Sequence, residues 1–171
     1  MVLRVATVDE LQEVVDLVNV AFRGSEGWAV EFRVVDGPRI TLAGLKADLE
    51  KKPEALQLVW RDEADDSLVG SMWVEPVGDG VWYLGLLCVR PDAQTRQLGR
   101  TLLAETEELM RTRGGRRVRI TVMTVRDTLM AWYERRGYVR TGDIKPFPYG
   151  DTSVGIPLRD DLEFAVLEKE L

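Results

Sequence analysis

An apolar run that stops at a proline and gives way to a helical pattern constrains the fold more than any other stretch of this sequence. The run covers 86–90, Pro91 ends it, and a helical pattern starts near Leu98. A strand, a short polar loop and a helix N-terminus together leave backbone N–H groups without partners, and such a helix start attracts anions. Arg96 and Arg100 add positive charge beside it. The stretch therefore predicts a strand–loop–helix unit that binds an anion.

This stretch resembles the cofactor-binding motif of the GNAT acyltransferases, in which V-x-P-x-x-Q/R-x-x-G-x-G/A follows an apolar strand and leads into a helix that begins with two leucines. The matching positions are Val89, Pro91, Gln94, Gly99, Leu102 and Leu103. Gln97 departs from the motif, because the family usually has its first glycine there, where it lets a phosphate approach the backbone closely. An ordinary joint between a strand and a helix is the alternative interpretation.

A second segment, 131–138 (A-W-Y-E-R-R-G-Y), resembles the family's Y-E-x-x-G-F/Y segment, where a helix ends on glycine and enters a strand. It follows an apolar strand pattern at 118–125, as it does in the family. The resemblance implies an α/β GNAT fold with a mixed, mostly antiparallel sheet of six or seven strands, a central parallel pair that splays apart, and about four helices. It also implies an acetyl-CoA-dependent N-acetyltransferase of an uncharacterised bacterial-type subgroup.

The resemblance further implies roles for single residues. Acetyl-CoA is the expected co-substrate, bound by Leu87, Cys88, Val89, Gln94, Thr95, Arg96, Gln97, Leu98, Gly99, Arg100 and Arg126. Backbone groups of 87–89 would serve the pantetheine amide and the thioester oxygen, and a donor aimed at that oxygen is usually a large contribution to catalysis. For Arg126 the alternative is a residue that faces solvent. The Cys88 thiol is also a candidate nucleophile for a covalent mechanism, and a small buried hydrophobe is the favoured interpretation of this residue.

Tyr133 stands where the family places the acid that protonates the leaving thiolate. A phenol of pKa ~10 can protonate a thiolate whose conjugate acid has a pKa near ~8.5; alternatively, the ring only packs or hydrogen-bonds the sulfur. Glu75, Glu31 and a chain of waters are all candidates for removing the amine proton. The chain has no histidine, so Ser–His–Asp and Cys–His nucleophiles and histidine metal sites are excluded, and no metal is expected.

The resemblance implies that the loop between the first two helices borders the acceptor, and a second loop is predicted on the same side. In the loop 25–38, Trp28 could stack on an acceptor and Glu31 could bind an amine; a packing tryptophan and a solvated glutamate are the alternatives. The loop 145–161 is long for a compact domain and contains rigid prolines and two aromatic residues. It is therefore predicted to be an ordered lip on the acceptor side, or equally a contact of a homodimer.

The charge is distributed unevenly along the chain. The net charge is −6, but the window 90–140 contains twelve arginines and six acidic residues, which leaves −12 for the remainder. This pattern predicts that a basic half holds a polyphosphate and that an acidic remainder faces a cationic acceptor. Solvated helix faces are the alternative. Overall acidity argues against nucleic-acid binding, although a module that uses the arginines of 111–119 stays an alternative.

Length and composition set the remaining expectations. The 171 residues suit one domain, 1–171, with a real core, and no apolar run is long enough to span a membrane. The single cysteine, Cys88, excludes an internal disulfide and fits a reducing cytoplasm. The predicted function is acetyl transfer from acetyl-CoA to a primary amine of a small molecule or peptide, by direct attack in a ternary complex. A non-catalytic acyl-CoA-binding sensor is the alternative.

Apolar periodicity predicts the order of the elements. Helices are predicted from Leu11 to Phe22, around Leu42 to Leu49, after Gly99 and before Gly137, and strands at 2–6, 55–62, 68–75, 81–90, 118–125, 138–144 and 162–171. Short turns between the strands from 55 to 90 predict antiparallel hairpins. The strands 81–90 and 118–125 should be parallel, because a helix of the usual crossover length separates them.

Overall fold

The computed structural model describes residues 1–25 and 34–171, and most of the strands in these ranges belong to one sheet. In chain order the strands are β1 (Val2–Val5), β2 (Val35–Asp36), β3 (Leu56–Arg61), β4 (Leu68–Gly78), β5 (Val81–Val89), β6 (Arg117–Met123), β7 (Val139–Pro146), β8 (Ile156–Pro157) and β9 (Glu163–Glu170). The α-helices in the same ranges are α1 (Leu11–Arg23), α2 (Leu42–Lys51), α3 (Leu98–Thr112) and α4 (Asp127–Glu134).

Seven of these strands form a mixed sheet with the order β1-β3-β4-β5-β6-β9-β7, and β2 pairs with β8 separately. The neighbours β5 and β6 are parallel, whereas the other neighbouring pairs of the sheet are antiparallel. The predicted fold class is therefore confirmed, including the hairpins from β3 to β5 and the parallel pair on either side of α3. None of the described helices combines the length and the apolar composition needed to cross a membrane.

Helices cover both faces of the sheet, because successive side chains of a strand point to opposite faces. Along β3, Leu58 and Trp60 pack in one cluster with Leu102 of α3. Val59, between them, packs in the other cluster with Val14 of α1. α3 and α4 thus lie on one face and α1 and α2 on the other, which places the parallel pair between two helical layers.

Strand β4 is longer than its sequence pattern indicates. The pattern predicts a strand that ends at residue 75 and a turn over 76–80, but the strand continues through Pro76 to Gly78, so this prediction is wrong. Pro76 lies opposite Trp82, and the register of the ladder shifts between Pro76 and Gly78. Such an irregularity accommodates a residue that has no N–H to donate. The actual turn consists of Asp79 and Gly80, whose φ angles of 56° and 75° suit a two-residue hairpin with the twist of the flanking strands.

A charged network joins the first strand to the first helix. The Glu10 carboxylate accepts hydrogen bonds from the Arg4 guanidinium at 2.8 and 2.7 Å, from Thr7 N at 2.8 Å and from Arg61 Nε at 3.0 Å. Arg61 is buried and also binds Glu13. These hydrogen bonds, those of Arg4 foremost, lower the pKa of Glu10 to about 2. Two of the acidic residues behind the negative remainder are therefore neutralised within the fold.

We expect Glu10→Gln to weaken the fold at neutral pH and to flatten its acid sensitivity. The folded-state pKa of Glu10 lies below an unfolded value near ~4.3, so its contribution is present above that value and is lost as the pH falls towards 2. The free energy of unfolding at pH 7 should drop by about 2 kcal/mol. Urea denaturation from pH 7 to pH 2.5 measures both effects, and Glu63→Gln, which affects an exposed ion pair, is the control. Parallel pH curves for wild type and Glu10→Gln would contradict this assignment.

Candidate active site

A local break in β5 opens the sheet between its two parallel strands. β5 and β6 pair through three residue pairs, from Val81–Arg117 to Tyr83–Arg119. Farther along, the β4–β5 register passes from Trp73–Gly85 to Ser71–Cys88, so that Leu86 and Leu87 together oppose a single residue of β4. Leu86 has a φ of 53°, which a non-glycine residue adopts at a strained bulge. The bulge turns β5 away from β6.

The space between the diverging strands is a cavity of about 90 Å³, here called the gap cavity. Its walls are 83–87 of β5 and 120–123 of β6, together with Arg126, Leu129 and Tyr133. Phe22 of α1 and Arg39 close its other side. Of the residues that the sequence assigns to the co-substrate, Leu87 and Arg126 therefore line this cavity, and the predicted acid Tyr133 lines it with them.

Tyr133 is held in place by aromatic packing. Its ring meets Trp132 edge-on at 5.0 Å and Tyr138 at 5.4 Å between centroids, and the residue is 7% exposed. Burial, and to a smaller extent the nearby Tyr83, raise the pKa of Tyr133 well above the usual value for a phenol. Among the described residues none exchanges a hydrogen bond with the Tyr133 hydroxyl. The group is therefore protonated at neutral pH and free to donate.

Tyr83 is a site residue that the sequence analysis missed. Its hydroxyl lies 3.4 Å from Thr121 Oγ1 of β6, across the diverging strands. Its ring covers Gly85, where a Cβ would come within 3.0 Å of Tyr83 Cε1. A tyrosine two residues before a glycine on the same face of a strand is the available signal, but tyrosine is also common in ordinary strands.

The loop between β5 and α3 contains Gln97 at the position where the motif usually has glycine. Gln97 has φ 57° and ψ 21°, so it adopts the left-handed conformation that glycine favours. A non-glycine residue in that conformation costs on the order of 1 kcal/mol. The Gln94 amide donates to Val89 O at 3.0 Å and ties the loop to the end of β5. The Thr95 side chain lies outside the described part of the chain.

The N-terminus of α3 faces α4 closely. Gln97 precedes the helix and its side chain does not cap it. A Cβ at Gly99 would lie 3.7 Å from Trp132 Cζ2 and 4.0 Å from Val89 Cγ2, which are ordinary contact distances. The first turn of α3 therefore presents uncapped backbone N–H groups. Gly99, within this turn, has room for a methyl group beside Trp132 and Val89.

A basic groove of about 540 Å³ lies beside this helix start. Its charged lining is Arg100, Arg135, Arg136, Lys169 and Glu107. The Glu107 carboxylate is already bound by Lys169 Nζ at 2.7 Å and by the Tyr138 hydroxyl at 2.9 Å. The groove therefore offers an excess of unneutralised arginine charge.

Arg136 shows how strongly the groove is biased towards anions. Its guanidinium stacks on Trp132, with Cζ 3.8 Å from the ring centroid. Burial lowers the pKa of Arg136, and the neighbouring cations Arg135 and Arg100 lower it further. Like charges this close destabilise one another unless an anion lies between them. The groove thus suits a phosphate group.

Two other predicted site residues lie away from the gap cavity. Glu75 is 8% exposed, and its carboxylate accepts hydrogen bonds from Lys52 Nζ at 2.9 Å and from Trp73 Nε1 at 3.2 Å. Cys88 is 3% exposed, and burial raises the pKa of its thiol to about 12. A thiol in that state is not a nucleophile at neutral pH, and Cys88 packs among apolar residues below α1.

A wider cleft of about 510 Å³, here called the outer cleft, adjoins the gap cavity. It lies between 38–41, α2 and residues 152–154 of the loop 145–161, and Tyr83, Gly85 and Leu86 form its floor. The loop is anchored by Phe147, which stacks on Phe164. The predicted acceptor residues Trp28 and Glu31 lie outside the described residues.

Comparison with known proteins places this site in a family context. The model of the acetyltransferase (GNAT) family matches residues 14–138. A mycothiol acetyltransferase from Beutenbergia cavernae is 35% identical over 86 residues, which are 50% of this chain but only 29% of that protein. The chain therefore spans less than a third of the length of this curated relative.

Solved structures share the fold at low sequence identity. A ribosomal-protein-alanine N-acetyltransferase from Brucella melitensis superimposes with a TM-score of 0.72 and 20% identity over 100% of both chains. A mutant spermidine N-acetyltransferase from Vibrio cholerae gives 0.70 and 14%, over 99% of this chain and 95% of that one. Since the family model spans most of the sequence and the parallel strands splay where its motif lies, the chain belongs to the GNAT acetyltransferase family.

Proposed function

We propose that this protein transfers an acetyl group from acetyl-CoA to a primary amine of a small molecule or peptide, by direct attack in a ternary complex. The observation that carries the proposal is the gap cavity, which is lined by Leu87 and Tyr133 and shares Tyr83 and Leu86 with the outer cleft. The loop before α3 directly follows β5, and the outer cleft shares Tyr83, Gly85 and Leu86 of the same strand with the gap cavity. Donor and acceptor could therefore meet without either being exposed to bulk water.

The proposed donor site follows the basic side of the molecule. The pyrophosphate would bind the uncapped start of α3 and the loop residues 94–100, as anions do at helix N-termini. The phosphorylated ribose of the nucleotide would extend into the basic groove, towards Arg100 and Arg136. This assignment gives a use to Arg100, Arg135 and Arg136 of the basic window, and it leaves Gln94 with a structural role at the end of β5.

The chemistry needs two donors from the protein. As the amine attacks the thioester, negative charge develops on its oxygen, and backbone N–H groups of 87–89 are proposed to stabilise it. Tyr133 is proposed to donate to the leaving sulfur. Because its pKa is raised above that of a free thiol, near ~8.5, complete proton transfer to the sulfur is uphill. The hydroxyl would therefore act chiefly through a hydrogen bond that strengthens as the thiolate leaves.

The attacking amine must also lose a proton. Glu75 is bound by Lys52 and Trp73, which makes it a poor base in the described arrangement. It lies opposite Tyr83 in the β4–β5 ladder, and Tyr83 lines the gap cavity. We therefore propose that water in the outer cleft accepts the proton, with Glu75 as a residue that influences this water from a distance.

The named acceptors of the similar proteins are chemically diverse. The names of these proteins include a ribosomal-protein alanine, spermidine and mycothiol. Family membership therefore supports acetyl transfer to an amine but leaves the acceptor to be deduced from this chain's own cleft.

A binding assay followed by an amine screen tests the proposal. Acetyl-CoA should raise the melting temperature, since a ligand at ~100 times its Kd adds about 2.7 kcal/mol to the stability. Thiol release with acetyl-CoA and a library of primary amines then reports turnover. Binding without thiol release for any amine would favour an acyl-CoA sensor, and the lack of both effects would contradict the family's chemistry in this chain.

A further inference from the structure

Arg39 is positioned where the gap cavity and the outer cleft meet. It lines both spaces. Its backbone is fixed by Asn19 of α1, whose Oδ1 accepts hydrogen bonds from Arg39 N at 2.7 Å and Ile40 N at 3.2 Å, and whose Nδ2 donates to Ile40 O at 2.9 Å. These three hydrogen bonds to the half-buried Asn19 hold residues 39 and 40 against α1. The arginine is therefore presented to the cleft by a rigid anchor.

The Arg39 guanidinium has no anionic partner among the described residues. Its contact is with the Phe22 ring, with Cζ 5.7 Å from the centroid. A guanidinium carries five N–H donors in a planar fork that fits a carboxylate or phosphate, and a half-buried arginine ordinarily has such a partner. Arg39 thus offers a vacant, oriented anion-binding group at the place where an acceptor must approach the thioester.

The charge of the outer cleft points in the same direction. The charged residues of its described lining are Arg39, Lys51, Lys52 and Asp48. Lys52 is paired with Glu75. The remaining charged side chains of this lining are Arg39, Lys51 and Asp48, so the described lining has a net positive charge. Acidic residues that made the sequence predict a cationic acceptor are used elsewhere, for example Glu10 and Glu13 beside Arg61.

We infer that the acceptor is an amine that also carries an anionic group, a carboxylate or a phosphate, and that Arg39 binds this group. This inference rests on the proposed acetyl transfer and replaces the cationic acceptor expected from sequence charge. An anion held by Arg39, at the junction of the two spaces, would place a nearby amine at the mouth of the gap cavity. Arg39 is thereby a residue that determines acceptor specificity.

Matched acceptor pairs test the inference. L-amino acids are compared with their amides, and O-phosphoethanolamine with ethanolamine, so that each pair differs in the anionic group. Rates are divided by the fraction of neutral amine at the assay pH. The kcat/KM of the better anionic acceptor should exceed that of its neutral partner about 10- to 100-fold, the range expected for charge-assisted hydrogen bonds. Which pair shows the preference separates carboxylate from phosphate recognition.

Variants assign the preference to Arg39. Arg39→Gln should remove most of it by raising KM for the anionic acceptor, while the acetyl-CoA-induced shift in melting temperature stays unchanged. Arg39→Lys should retain part of it, because the charge remains without the planar fork. Arg117→Gln, which removes an exposed arginine paired with Glu170, is the control and should change neither quantity.

The outcomes separate this inference from the proposed function. Equal or faster turnover of the neutral partners, or an Arg39→Gln variant that keeps the preference, would overturn the role of Arg39 while acetyl transfer stands. Turnover of no member of either pair, with the acetyl-CoA shift intact, would also overturn it and would leave the donor site standing. A missing acetyl-CoA shift would instead contradict the proposed function itself.

Discussion

Replacing Gly99 with tryptophan should reduce acetyl-CoA affinity by at least ~100-fold, whereas Gly99→Ala should leave it nearly unchanged. A methyl group at this position meets Trp132 Cζ2 at 3.7 Å and Val89 Cγ2 at 4.0 Å, so alanine fits without movement. An indole would have to occupy the space of Trp132 and would push α4 away from the start of α3. The N–H groups proposed to bind the pyrophosphate would then lose their geometry.

The paired variants make this experiment specific to the site. Acetyl-CoA binding is measured by calorimetry and by the shift in melting temperature, and circular dichroism shows whether Gly99→Trp still folds. The overpacked variant should lose about 1–3 kcal/mol of stability, which a folded domain can survive. If folded Gly99→Trp binds acetyl-CoA like the wild type, the co-substrate does not use this helix start.

Replacing Tyr133 with phenylalanine should lower kcat about 100-fold and change acetyl-CoA affinity little. The ring keeps its edge contacts with Trp132 and Tyr138, so the packing of α4 is preserved. Only the hydroxyl is removed, and among the described residues it has no hydrogen-bond partner to leave unsatisfied. The loss should therefore fall on the step in which the thiolate leaves, because that is where the proposed hydrogen bond strengthens.

The alternative role of Tyr133 predicts a different pattern. If the residue only packs, Tyr133→Phe should be nearly as active as the wild type at saturating acetyl-CoA, and any effect should appear in stability. The measurement requires chemistry to be rate-limiting, which a pre-steady-state burst experiment establishes. A supporting test uses thioesters with more acidic thiols: their better leaving groups should reduce the defect of Tyr133→Phe if the hydroxyl assists departure. A variant with unchanged kcat would remove Tyr133 from the proposed mechanism.

Much of the fold could be predicted because its signals are local. Alternating side chains and short turns indicate the hairpins from β3 to β5, and the helical pattern after Leu98 indicates a crossover that makes β5 and β6 parallel. Gly99 and Tyr133 could be proposed as site residues from the sequence because each lies within a motif of fixed spacing. The misplaced turn at Pro76 shows the limit, since the effect of a proline depends on whether its neighbour needs an N–H donor.

The decisive details of the site depend on the folded structure. Nothing in the sequence indicates that Leu86 adopts a φ of 53°, because leucine is not a turn-forming residue and the bulge is visible only in the register between β4 and β5. Likewise Arg39 follows a proline in an ordinary polar loop, and its backbone is bound by Asn19, which lies twenty residues earlier in the sequence. The prediction of a cationic acceptor rests on a sum of charges, and such a sum contains no information on which acids are already paired, as Glu10 and Glu13 are with Arg61.

The short pairing of β5 with β6 has a consequence for how the molecule opens. Three residue pairs join one ladder, β1-β3-β4-β5, to another, β6-β9-β7. The first ladder contains hairpins between consecutive strands. In the second ladder, β9 pairs with β6 across about forty intervening residues. Strand pairs that are distant in sequence form more slowly than hairpins. Amide hydrogen exchange should therefore resolve two cooperative units that meet along the gap cavity. A ligand that contacts both walls of the cavity would couple the opening of the two units. Binding at the site should therefore make the unfolding of the whole sheet more cooperative.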